Sequence, residues 1–202
     1  TTNDPTKQNQ EDSGGLSRDN SGAENHCTVF TIAESPLDAN VVWAGTDDGN
    51  VQVTKDGGKT WTNVVANVPG LPKNTMAYHI EASVFNKANA YTVFTGYQTG
   101  DQNTYVYKTT DFGATWKSIA TPDIYGFARN IQEDYVNENL LFLGTEYGLY
   151  ITLNGGQNWL KFTKNMPSAN VHFIELHKKT NDLVLATHGR GVIIIDDISI
   201  LR

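Results

Sequence analysis

The 202 residues are 39% hydrophobic and 18% charged, a balance that fits one soluble globular domain able to bury a core. A net charge of −7, a pI near 5.1 and the lack of any Lys/Arg cluster argue against nucleic acid or an anionic membrane surface as partner. The single cysteine, Cys27, excludes an internal disulfide and any CxxC metal site, and no run approaches the ~18 apolar residues of a membrane span.

The chain opens on "TTNDPTKQNQ", with neither initiator methionine nor signal peptide, as expected of a chain processed, trimmed or cut from something longer. Residues 1–27 carry only Leu16, Ala23 and Cys27 as apolar side chains. So little apolar surface cannot drive folding, and an extended arm or long loop is expected there. From residue 28 a period of two takes over. "TVFTIAES", "VVWAGT", "NVQVTK" and "WTNVV" are short β-type runs separated by Asn, Asp, Gly or Pro. The same order returns in "AYHIEASVF", "AYTVFTGY", "TYVYKTT" and "TWKSIA". It returns again in "FARNIQEDY", "LLFLGTE", "GLYITL" and "WLKFTK". A fourth set, "VHFIELH", "LVLATH" and "VIIIDDISI", stops one strand short, with Asp196 and Asp197 closing its last strand. No window carries a helical period. The units run over about 28–66, 77–122, 126–165 and 171–202.

One turn recurs between the third and fourth runs: "TKDGGKTW", "TTDFGATW" and "TLNGGQNW", or Thr-x-Asp/Asn-x-Gly-x-x-Trp. A nucleotide-binding glycine loop is normally used once, and an EF-hand calcium loop alternates its acids, so repetition favours architecture. Asp56, Asp111 and Asn154 can close Asx-type turns on the following backbone N–H groups. Gly58, Gly113 and Gly156 suit a positive φ. Trp61, Trp116 and Trp159 are sized to seal one unit against the next. Four-stranded units of roughly 40–50 residues are the sequence form of propeller blades, an all-β class of four-stranded antiparallel sheets.

These turns resemble the Asp-box (BNR) repeat of sialidase-like and sortilin-like propellers. "AESPLDANVVWAGTDDGNVQVTKDGGKTW", "NENLLFLGTEYGLYITLNGGQNW" and "LVLATHGRGVIIIDDISILR" are similar to the closing blades of large secreted bacterial sortilin-like proteins. The resemblance covers nearly all of 12–202. It implies an extracellular or cell-surface setting and a chain that forms only the last three to four blades of a larger ring. The missing blades would come from another chain or fragment, or a homodimer would close the ring.

Once the recurrent turn is placed between strands three and four, strand alternation puts two other loop sets at the opposite end. The loops entering the innermost strands offer His26, His79, Arg129 and His172, with the three histidines read at matching positions. The turns between strands two and three offer Asp47, Asp48, Gln98, Asp101, Glu146, Tyr147, His188 and Arg190. The histidines lack HxH or HExxH spacing, so hydrogen bonding between blades is favoured over a metal site, and no cofactor is expected. Arg190 could grip an anion or pair with an acid such as Glu146. Asp48 and Glu146 are the weak candidates for a glycoside-hydrolase acid pair, with Tyr78, Tyr125 and Tyr147 as sugar platforms. Four arginines (Arg18, Arg129, Arg190, Arg202) are too few for a sialidase. Cys27 fits a small buried hydrophobe better than a nucleophile. The favoured reading is a non-enzymatic extracellular binding or scaffold module for a protein, a peptide or a glycan.

Overall fold

A computed structural model describes residues 27–202. The arm expected over 1–27 lies outside the described residues except for Cys27, and so does His26. Four antiparallel sheets follow one another along the chain, each a simple meander. The first comprises β1 (Val29–Glu34), β2 (Val42–Thr46), β3 (Val51–Thr54) and β4 (Thr62–Asn63). The second comprises β5 (Met76–Ala82), β6 (Ala90–Gly96), β7 (Asp101–Thr109) and β8 (Lys117–Ser118). The third comprises β9 (Ala128–Glu133), β10 (Leu141–Thr145), β11 (Gly148–Thr152) and β12 (Leu160–Lys161). The fourth has three strands, β13 (Asn170–His177), β14 (Asp182–His188) and β15 (Val192–Ile195). Asp197 then caps a 3₁₀ turn over Ile198–Leu201 by accepting from the Ser199 N–H. The sheets are propeller blades. Their first strands, β1, β5, β9 and β13, touch in succession around a common centre.

The hydrophobic core is divided into three parts, one for each junction between consecutive blades. Val41, Trp43, Val51 and Val53 of blade 1 meet Ala77, Ile80 and Trp116 of blade 2. Tyr91, Val93 and Val106 meet Ala128, Ile131 and Trp159 at the next junction. Phe142, Leu149 and Ile151 meet Val171, Ile174 and Leu185 at the third. Each of these large side chains contributes on the order of 1.5–3 kcal/mol by leaving water.

The recurrent turn has the same hydrogen bonds in all three copies. In the first, the Thr54 hydroxyl donates to Asp56 Oδ1 (2.8 Å) and accepts from the Gly58 N–H (2.9 Å). Asp56 Oδ1 then accepts from the Thr60 N–H. Thr109–Asp111–Gly113–Thr115 and Thr152–Asn154–Gly156–Asn158 repeat these three bonds. Asn154 retains the acceptor without the charge.

The tryptophans that follow these turns are not equivalent. Trp116 is buried edge-on against Trp43 of blade 1, with ring centroids 6.0 Å apart. Trp159 is buried and donates from Nε1 to the Ile119 carbonyl of blade 2 (2.8 Å). Each therefore seals its blade onto the preceding one. Trp61, expected to do the same, is 45% exposed because no described blade precedes blade 1. The inner strands agree. Ile80, Ile131 and Ile174 are buried, whereas the matching Ile32 is 68% exposed. At the far end, Val192 of β15 is 65% exposed, although its counterparts Val51, Val106 and Leu149 are fully buried. The four blades form an arc with an unfilled leading face on blade 1 and an unfilled trailing face on blade 4, as befits part of a larger ring.

Candidate functional site at the inner-strand bulges

Every inner strand carries a register shift near its start. On either side of it lie two residues, three apart, on the face toward the preceding blade: Val29 and Ile32, Ala77 and Ile80, Ala128 and Ile131, Val171 and Ile174. Strict alternation would put residues three apart on opposite faces, so one residue must be extra. The extra residues are Phe30, Tyr78, Arg129 and His172. A bulge re-aims its side chain, and four bulges at equivalent places aim four side chains at one end of the arc.

This register corrects the sequence-based alignment of the histidines. His172 occupies the bulge, but His79 lies one residue beyond it and corresponds to Thr31, Asn130 and Phe173. His79 faces the centre of the arc, edge-on to Phe173 with centroids 6.2 Å apart. Burial there pulls its imidazole down to about 4, so it is neutral at ordinary pH.

The bulge residues meet. Phe30 lies against Tyr78 with centroids 5.1 Å apart. The Tyr78 hydroxyl is 3.5 Å from His172 Nδ1. The His172 ring is 5.8 Å from that of His188, which stands exposed at the end of β14. His172 is held below the usual imidazole range by burial first, then by the charge of Arg129 and by His188. Arg129 is the centre of the group. Its guanidinium carbon lies 4.3 Å from the Tyr97 ring, 4.6 Å from Phe127 and 4.7 Å from Tyr78. Arg129 is only 6% exposed, yet Nε has no partner, and the described residues supply its guanidinium with neither hydrogen bond nor ion pair.

The other sequence candidates are distributed as follows. Asp48 is buried in the β2–β3 turn, where it accepts from the Thr46 hydroxyl (2.5 Å) and Asn50 Nδ2 (2.9 Å). Asp47 accepts from the Cys27 and Thr28 N–H groups and the Thr28 hydroxyl, while Cys27 itself is buried. Asp101 accepts from the Tyr105 hydroxyl (2.8 Å). Gln98 lies in the 3₁₀ turn Tyr97–Thr99 that follows β6. Glu146 and Tyr147 line an open cleft of about 520 Å³ with Thr104 and Tyr125, the two tyrosine rings 5.1 Å apart. Asp48 lines a different cleft, of about 430 Å³, with Pro72 and Lys73. Asp48 and Glu146 thus belong to separate cavities. Arg190 is exposed on the β14–β15 turn and pairs with neither Glu146 nor any other acid among the described residues.

Sequence reasoning missed the carboxylates of the central cavity. That cavity, about 550 Å³, is lined by Glu34, Glu81, Glu133 and Glu175 together with Ile32 and Phe173. Glu81 is pushed up to about 8 by burial and by the nearby Glu133, while Gln132 Nε2 donates to its Oε1 (2.6 Å). Glu133 ties blade 3 to blade 2 by accepting from the Ser83 and Tyr91 hydroxyls and the Val84 N–H. Each of these acids looks in sequence like an exposed polar member of an alternating strand. Only ring curvature brings them inward. Among the described residues no group of three or more His, Cys, Asp or Glu side chains could hold a metal ion, and no helix is long and apolar enough to cross a membrane.

The arrangement of blades is shared with solved structures. The GH74 enzyme of Niastella koreensis superposes with a TM-score of 0.61 at 20% identity, over 86% of this chain and 24% of that one. YCF48 bound to D1 peptide gives 0.59 at 17% identity, over 83% and 50%. The nidogen/laminin complex gives 0.60 at 11%, over 83% and 60%. The chain is made of β-propeller blades. It spans about a quarter of the length of the GH74 enzyme. No protein-family model and no curated protein matches the sequence.

Proposed function

We propose that this chain is a non-enzymatic binding module. It would form the blades of a larger extracellular propeller of the Asp-box, sortilin-like type, engaging a protein or peptide through the end that carries the four bulges. The observation behind this reading is the contrast between that end and the acids. The bulges gather a cation, aromatic rings and hydrogen-bonding groups without a reacting pair, while Asp48 and Glu146 line separate clefts and Asp48 is occupied by its own turn. The recurrent Thr-x-Asp/Asn turns support the Asp-box assignment. Two of the structural neighbours are, by their descriptions, a complex with a peptide and a complex with a protein.

The unfilled blade faces support completion of the ring by blades of another chain or fragment, or by a second copy. Light scattering on the purified chain tests this, since a well-folded 22.3 kDa monomer with no affinity for a second copy or for flanking blades would overturn it. A polysaccharide-hydrolysis screen on the assembled particle tests the non-enzymatic part. No turnover is expected, and turnover abolished by Asp48→Asn or Glu146→Gln would overturn it.

A further inference from the structure

The guanidinium of Arg129 is the most conspicuous unfinished interaction among the described residues. Taking a cation out of water costs several kcal/mol unless it is paired, and buried arginines ordinarily meet a carboxylate or carbonyl. Three aromatic faces around Arg129 recover part of that cost through their quadrupoles. They supply no acceptor. Among the described residues nothing accepts from its buried Nε–H, and neither a carboxylate nor a carbonyl meets the rest of the planar fork.

We infer that the four bulges build a carboxylate-binding site, in which Arg129 supplies the counter-charge and the Tyr78 hydroxyl, His172 and His188 supply flanking hydrogen bonds. This inference rests on the binding-module reading and adds the chemistry of the ligand. Three features select the ligand class. The fork is flanked by aromatic faces that restrict its orientation, which suits the two coplanar oxygens of a carboxylate. Arg129 is the one fixed positive charge of the site, while burial and the charge of Arg129 hold His172 below the usual imidazole range, so a monoanion matches better than a phosphate dianion. Phe30, half exposed beside Tyr78, offers an apolar surface for whatever carries the carboxylate. A peptide C-terminus and a uronic acid share this chemistry.

The test uses matched acid and neutral ligands on the full chain in its native assembly. N-acetylglycine is titrated against N-acetylglycinamide, and glucuronate against methyl glucoside, with tyrosine fluorescence and amide NMR shifts as readouts. At least tenfold tighter binding of one acid over its neutral counterpart is expected. N-acetylglycine alone would indicate a peptide terminus, glucuronate alone a uronate, and both a general carboxylate site. Arg129→Met keeps the length and apolar contacts of the side chain and should abolish the acid preference, while Arg129→Lys should restore part of it. Equal binding of acid and neutral forms by the native chain overturns the inference, whether or not the variants fold. An acid preference that survives Arg129→Met overturns it too. A display-selected peptide that binds native and Arg129→Met chains equally would leave the binding-module reading intact and remove only the carboxylate site.

Discussion

The junction between blades 2 and 3 and the two ends of the arc are built from the same pattern in opposite surroundings. At the junction Ile131, Val106 and Trp159 are buried. At the ends the matching positions hold Ile32, Val192 and Trp61, equally apolar and widely exposed. Repeat proteins that end in water normally carry terminal units with a polar outer face. Among the described residues neither end is capped in that way. Blades 1 and 4 have the composition of interior blades, which is the physical reason to expect a neighbour on each.

That comparison predicts paired substitutions with unequal costs. Trp159→Ala should destabilise the chain by about 3–5 kcal/mol, because it removes a buried indole and leaves the Ile119 carbonyl without its donor. Trp61→Ala should change stability by less than about 1 kcal/mol in the isolated chain. Chemical denaturation of both variants measures the gap. Equal losses would mean that blade 1 already has a partner. Next in size, Ile131→Ala should cost about 2–5 kcal/mol and Ile32→Ala within about 0.5 kcal/mol. If flanking blades or a second copy are supplied and the arc closes, Ile32→Ala should become costly. This change of rank is the sharper form of the test.

The glycines of the recurrent turn extend the comparison to the backbone. Gly58, Gly113 and Gly156 all have φ near +80 to +90°, so alanine strains each of them alike. A Cβ on Gly113 would lie 2.7 Å from Val64 of the preceding blade, and one on Gly156 would lie 2.8 Å from Ile119. A Cβ on Gly58 would meet only its own tryptophan, at 3.8 Å. Gly113→Ala should therefore exceed Gly58→Ala by roughly 1–3 kcal/mol, the usual cost of overpacking. Matching losses would show that the φ requirement alone decides the position.

The architecture was legible because its determinants are local. Alternation marks the strands, and the Thr, Asp/Asn and Gly of each turn satisfy one another within a few residues, so one copy identifies the next. The bulges were legible in principle, from Val29–Ile32, Ala77–Ile80, Ala128–Ile131 and Val171–Ile174 keeping an odd spacing between apolar residues of one face. Aligning on histidine instead of on isoleucine concealed them and misplaced His79. The isolation of Arg129 was not legible. Whether an arginine meets an acid depends on blades brought together from distant parts of the chain, and Glu146, the acid nearest in expectation to Arg190, pairs with neither arginine. Glu81 shows the same limit, because its protonation depends on burial and then on Glu133, about fifty residues away.

The smallest effect lies at the centre of the arc. Ala33, Glu81, Gln132 and Glu175 occupy equivalent positions on the four inner strands, so blade 3 already carries the amide at the place where blade 2 carries the acid. Glu81 has its pKa raised from 4.5 to about 8, so the folded chain keeps a proton there that the unfolded chain releases above 4.5. The Glu81 contribution to stability therefore falls as pH rises from about 4.5 to about 8. His79 acts in a different window: with its value lowered to about 4, its contribution is present above 6.5 and is lost as pH falls toward 4. Of these two groups, it is Glu81 whose contribution changes between pH 6.5 and 8.5. Glu81→Gln preserves the acceptor for Gln132 and removes that titration. Its melting temperature should exceed that of the native chain by a few degrees at pH 8.5 and by less at pH 6.5. Glu175→Gln, at the exposed end, should leave stability within about 0.5 kcal/mol at both. Scanning calorimetry at the two pH values decides. If native and Glu81→Gln chains change in parallel, Glu81 is ionised in the folded protein, and the centre of the arc is wetter than its packing implies.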